Sequence, residues 1–154
     1  MTNLAHDVIR ILQGKTLCTA ESCTGGAIGA VLTAVSGASN VFKGGIISYT
    51  NEVKHKLLGV DEDLLEIVGA VSAPVARAMA KGARRALDAD IAVSVTGLAG
   101  PGGDEYGNPV GTVFIGYEDA KTAVVRHFVF EGDREAVRAQ AVAAALTLIL
   151  EQNR

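Results

Sequence analysis

Tryptophan is absent from this chain of 154 residues, and aromatics reach only 5%. So sparse a set cannot build the base-stacking platforms that hold single-stranded nucleic acids. A net charge of −3 with no basic block removes the phosphate-tracking surface as well, so no nucleic-acid partner is expected. Cysteine is scarce too. Cys18 and Cys23 lie close together, and with the scattered His6, His55 and His127 they show no metal-ligand spacing. Reduced thiols, no structural metal and no cofactor are expected.

Long hydrophobic runs are also missing. The longest apolar stretch, 141–150, contains Thr147 and falls short of the roughly 20 residues a membrane span needs, so no membrane partner is expected. Residues 1–7 lack a basic region followed by an apolar run. No secretory signal is visible there, and the cytoplasm is the default expectation. With 49% hydrophobic and 20% charged residues, the chain can bury a sizeable core, and one domain over 1–154 is expected. Glycine is plentiful. The 18 glycines cluster beside apolar runs, where a backbone turns tightly or approaches a small ligand.

Hydrophobic periodicity orders the chain into elements. Leu4, Val8, Ile11 and Leu12 recur at helical spacing before Gly14, which predicts a helix over 3–13. A short buried strand over 16–20 follows. The uncharged stretch 25–35 predicts a helix buried on most sides, its N-terminal amides and positive dipole end facing whatever sits beside Ser22. A second strand is predicted within 41–49, then a helix over 52–58 capped by Asn51 and another over 61–68 capped by Asp61. Ser72-Ala73-Pro74 opens a helix to about Leu87, with Val75, Met79 and Ala83 inward. The apolar run 90–95 reads as a central strand. Runs 110–117 and 121–130 read as an antiparallel hairpin, and Asp133 caps a long helix over 134–152. The sum is an α/β chain, a three-layer α/β/α arrangement around a mixed, about five-stranded sheet. Its apolar C-terminal helix and hairpin edge are surfaces that a homo-oligomer could use.

Three strand-to-helix joints carry the chemistry. In α/β sheets, ligands bind outside the carboxyl ends of the strands. If the first three strands are parallel neighbours, residues 19–26 (Thr-Ala-Glu-Ser-Cys-Thr-Gly-Gly), 49–54 (Tyr-Thr-Asn-Glu-Val-Lys) and 96–103 meet at one sheet edge. A serine needs a base to take its proton, and a desolvated lysine can be that base, which singles out Ser22 and Lys54. The plainer reading makes Ser22 or Thr24 a helix cap and Lys54 a solvated lysine. Cys23 is intrinsically a better nucleophile than serine, but no histidine is placed to activate it, and a cysteine there also serves packing. Glu21 either orients a bound ribose or amide, or adds a favourable charge at a helix start. The loop containing Thr96, Gly97 and Gly100 lacks the lysine of a P-loop and the spacing of the dinucleotide fingerprint. It brings backbone N–H groups to a phosphate or oxyanion, or is a plain turn. Arg134 and Arg138 sit near a helix start, where the dipole disfavours cations. That suggests a phosphate or carboxylate contact, with solvated arginines as the alternative.

Taken together and in order, these motifs resemble the CinA C-terminal domain family, as do Gly69-Ala70-Val71-Ser72, 109–113 and 132–138. The similarity is collinear and covers nearly the whole chain. It implies hydrolysis of the carboxamide of nicotinamide mononucleotide (NMN) to nicotinate mononucleotide and ammonia, without a metal. On that resemblance Ser22 takes the nucleophile position and Lys54 the base position. Tyr49 and Thr96 match positions that line the site, and Arg138 matches one associated with the phosphate. Glu21, Thr24, Gly25, Gly26, Gly97 and Gly100 complete the expected substrate-binding set, with amides near Gly25 and Gly97 holding the oxyanion. Two rival readings fit the same residues. One is a non-catalytic nucleotide-binding or regulatory module, linked to competence or DNA damage, that does not need Lys54; the other is an amidase that uses Cys23.

Overall fold

The computed structural model describes residues 2–154. Helix α1 (Thr2–Ile11) leads into strand β1 (Leu17–Glu21), helix α2 (Ala27–Thr33), a 3-10 turn (Ala38–Asn40) and strand β2 (Phe42–Ile47). Helices α3 (Asn51–Leu58), α4 (Glu62–Val68) and α5 (Ala73–Leu87) follow, then β3 (Ile91–Gly97), the hairpin β4 (Thr112–Glu118) and β5 (Ala123–Val129), and α6 (Arg134–Asn153).

The five strands stand in the order β2-β1-β3-β4-β5. β1 runs parallel to both β2 and β3, while β3–β4 and β4–β5 are antiparallel. The carboxyl ends of the first three strands therefore open on one edge, which meets the condition under which residues 19–26, 49–54 and 96–103 come together. Alternation along the strands builds two cores. Leu17, Ile91, Val93 and Val95 face a layer of α1, α2 and α6, whereas Cys18, Ala20 and Ala92 face α3, α4 and α5. Both faces of β3 are covered, so every residue from Ile91 to Thr96 is buried.

The α/β expectation holds: a mixed five-stranded sheet lies between helical layers. Three local expectations are corrected. β3 runs on through Thr96 and Gly97, because Val95, Thr96 and Gly97 pair with Ile115, Phe114 and Val113 of β4. Thr50, not Asn51, caps α3, its side-chain oxygen accepting from the Val53 amide. Helix α2 starts at Ala27 and buries only Ile28 and Leu32, leaving Ala30, Thr33 and Ala34 exposed. Residues so small lose little by facing water, so an uncharged helix need not be enclosed. Helix α6, by contrast, buries Val137, Ala141, Val142, Ala145, Leu146 and Leu148–Leu150, so its apolar stripe is consumed within the fold.

Candidate active site

Ser22 is the first residue beyond β1, and its amide donates to the Val95 carbonyl of β3. Next door, Ser48 leaves β2 and its amide donates to the Glu21 carbonyl. The chain then turns into α3, whose second turn drives Lys54 back under both strand ends. There the lysine is 1% exposed. Its Nζ lies 2.9 Å from Ser22 Oγ, 2.9 Å from the Ser48 carbonyl oxygen and 3.3 Å from that of Tyr49. Burial lowers its pKa from 10.5 to about 8. A neutral amine has two N–H donors and one lone pair. With the Ser48 and Tyr49 carbonyls taking the donors, the lone pair faces the Ser22 hydroxyl.

Glu21 turns inward beneath this pair and is 2% exposed. Its carboxylate accepts from the amides of Gly26, Ile28 and Gly29 at 3.2, 3.0 and 3.0 Å, from Thr24 Oγ1 at 2.7 Å and from Thr19 Oγ1 at 3.4 Å. It is thus the anion at the N-terminus of α2, and the dipole end expected to face the substrate is filled from within. The Gly25 amide is likewise engaged, donating to the Ser22 carbonyl. Gly25 and Gly26 hold φ of 60° and 101°, the left-handed turn that lets the chain fold over the carboxylate. Arg138 grips the same loop from α6, donating from Nε to the Cys23 carbonyl at 3.0 Å and from Nη2 to that of Thr24 at 3.1 Å. Glu21, Thr24, Gly25, Gly26 and Arg138 therefore shape the loop that carries Ser22. Beside Ser22, the amides of Cys23 and Thr24 donate to no other described residue.

A cavity of about 270 Å³ opens over Ser22 and Lys54, walled by Tyr49 and Asn51, by Ala70 and Val71, by Thr96–Gly100 with Gly102, and by Arg134. Thr96 Oγ1 donates to the Ala70 carbonyl, tying β3 to the wall before α5. A Cβ at Gly97 would stand 2.7 Å from Val113 Cγ2, 2.9 Å from the Thr112 carbonyl oxygen and 3.2 Å from Cys23 Sγ, so glycine is what lets this end of β3 lie so close to the start of β4. Arg134 donates from Nη1 to the Gly100 carbonyl at 2.8 Å and from Nη2 to the Tyr49 hydroxyl at 3.0 Å, roofing the cavity. Cys23 lines it too, but burial pushes its thiol up to about 11, so it carries almost no thiolate at neutral pH.

Of the expected residues, Ser22, Lys54, Tyr49, Thr96, Gly97 and Gly100 meet at the cavity. Arg134, Asn51 and the Ala70–Val71 wall were not in that set. The signal for Arg134 was present, because a cation in a helix's first turn is unfavourable. Arg134 and Arg138 lie at i and i+4 on one face, about 6 Å apart along the axis, and the N-terminal one reaches the cavity. Among the described residues no group of three or more His, Cys, Asp or Glu is arranged to hold a metal, and no helix is long and apolar enough to cross a membrane.

Known proteins share this arrangement of elements. The Escherichia coli nicotinamide-nucleotide amidohydrolase PncC is 46% identical over 141 residues, covering 91% of this chain and 86% of that protein. A CinA-like protein of Geobacter sulfurreducens is 48% identical over 134 residues, spanning 87% of this chain but 32% of that longer one. The crystal structure of competence damage-inducible protein A from Klebsiella pneumoniae superposes with a TM-score of 0.95 at 36% identity, covering 98% of this chain and 95% of the other. The sequence profile of the CinA C-terminal domain matches residues 1–153, and the chain belongs to that family.

Proposed function

We propose that the chain is a nicotinamide-nucleotide amidohydrolase that converts NMN to nicotinate mononucleotide and ammonia through Ser22 and Lys54. The carrying observation is the 2.9 Å approach of Lys54 Nζ to Ser22 Oγ while two backbone carbonyls engage the same amine. A nucleotide-binding module has no use for a lysine held at 1% exposure, where burial penalises its charge. The 46% identity to the Escherichia coli amidohydrolase, over nearly both full lengths, favours the same reading.

Neutral Lys54 accepts the Ser22 proton as Oγ bonds to the carboxamide carbon, and the carbonyl π electrons move to oxygen. The Cys23 and Thr24 amides are the donors that meet this oxyanion. On collapse the C–N bond breaks, and the lysine ammonium returns its proton to the departing nitrogen, which leaves as ammonia. Water then attacks the acyl-serine ester and gives a proton to Lys54. The second tetrahedral species expels Ser22 Oγ, which recovers that proton, so one water is consumed per ammonia released. Arg134 keeps N–H groups beyond those bound to Gly100 and Tyr49, and these hold the phosphate at the rim.

Ammonia release from NMN tests the reading. Wild type is active, Ser22→Ala and Lys54→Ala each lose about 10²-fold or more, and Cys23→Ala keeps most activity. A silent wild type would leave only binding, and loss confined to Cys23→Ala would make the thiol the nucleophile.

A further inference from the structure

Of the two readings of Glu21, a ribose or amide contact and a charge at a helix start, the structure supports the second: the carboxylate is buried and engaged by α2. A nucleotide bound here needs another group to recognise its sugar. Of the nitrogen- and oxygen-bearing side chains lining the cavity, Ser22 and Lys54 bond each other, Thr96 bonds Ala70, and Tyr49 and Arg134 bond one another. Asn51 alone makes no side-chain hydrogen bond among the described residues, although its carboxamide carries two donors and an acceptor.

Its position suits a sugar better than the reacting amide. Asn51 is exposed at the rim, three residues before Lys54 on the same face of α3, so the two Cα atoms are about 4.5 Å apart along the helix axis. It also lines the neighbouring groove of about 490 Å³, whose other walls include Glu52, Glu62, Glu66 and Glu105. Four carboxylates repel a phosphate from that groove, while Arg134, which lines the cavity and not the groove, offers it a cation. With the carboxamide on Ser22 and the phosphate toward Arg134, the ribose crosses the rim at Asn51.

Resting on the nucleotide reading, we infer that Asn51 is a specificity-determining residue that recognises the ribose. Its carboxamide donates to one of the two vicinal hydroxyls and accepts from the other.

The test measures calorimetric binding of NMN and its 2′,3′-dideoxy analogue to the full chain carrying Ser22→Ala, with and without Asn51→Ala. With Asn51 present, the analogue binds at least tenfold more weakly than NMN. In the double variant NMN weakens by about tenfold, the analogue's affinity is unchanged and the discrimination disappears. In the otherwise wild-type chain, Asn51→Ala raises KM with kcat nearly unchanged. Melting temperatures stay together, because this side chain bonds to nothing in the fold. Discrimination that persists without Asn51, or NMN affinity indifferent to it, overturns the inference. Failure of Ser22→Ala to bind NMN at all overturns it as well. Loss of the deamidase reading would instead show as NMN binding without ammonia release by the wild type.

Discussion

Lys54 Nζ stands as close to the Ser48 carbonyl oxygen as to Ser22 Oγ, 2.9 Å in each case. The carbonyl belongs to the first residue past β2, and with that of Tyr49 it fixes where the amine's protons point. A lysine held this way is a base only when neutral. Its lowered pKa then becomes something kinetics can read.

The acidic limb of the rate profile should report Lys54. With its pKa lowered to about 8, the neutral fraction rises tenfold per pH unit below that value and levels above it. kcat/KM for NMN is expected to climb from pH 6 and flatten above about 8. A thiol route through Cys23 would keep climbing toward about 11.

The same burial makes Lys54 a pH-dependent weakness of the fold. Its pKa lies at about 8 folded against 10.5 unperturbed, so between those values the unfolded chain binds more protons and stability rises with pH. Below about 8 the full penalty is present, roughly 3 kcal/mol for a shift of that size. Relative to Lys54→Met, which has no such titration, wild type should gain about 3 kcal/mol between pH 7 and 10.5. Urea unfolding of both proteins at the two pH values measures it, and parallel profiles would mean that the amine is solvated.

Removing the Glu21 carboxylate leaves three amides and two hydroxyls without their acceptor, the Ile28 amide and both threonine hydroxyls in the interior and the Gly26 and Gly29 amides partly buried. Glu21→Ala is expected to lose about 3 kcal/mol or more, since each buried unsatisfied group costs about 1–3 kcal/mol. Glu21→Gln keeps one acceptor oxygen and should lose less. Denaturant midpoints rank the variants, and kcat should fall with them because the carboxylate sets the path of the nucleophile loop.

The two arginines of α6 should separate by kinetic parameter. Arg134→Ala removes a rim cation and is expected to raise KM for NMN by about 10–100-fold, the range of a charge-assisted hydrogen bond worth about 1.5–3 kcal/mol. Arg138→Ala frees the Cys23 and Thr24 carbonyls behind the nucleophile and should lower kcat more than it changes KM. Steady-state rates across NMN concentrations decide it, and the reverse assignment would place Arg138 on the substrate.

Much of the fold was legible in linear pattern. The three strands β1, β2 and β3 with helices between them follow from apolar runs separated by helical periodicity, and the caps at Asp61 and Asp133 follow from short acceptor side chains before amphipathic helices. The end of β3 was not legible, because Thr96 and Gly97 look like loop until β4 pairs with them. Nor was the exposed face of α2, since alanine carries no signal for which side is buried.

By itself, the sequence determined which chemistry was on hand: a hydroxyl, an amine and glycine turns at the ends of apolar strands. Only the tertiary structure decided who touches whom. Val137 and Ala141 seat α6 in the core at one rotation and height, which sends Arg134 over the cavity and Arg138 behind the loop. Glu21 was given to α2 rather than to a ligand because three amides converge on it across the Gly25–Gly26 turn. Contacts of that kind depend on rotations and displacements of a few ångströms between elements, which the order of residues along a chain does not specify.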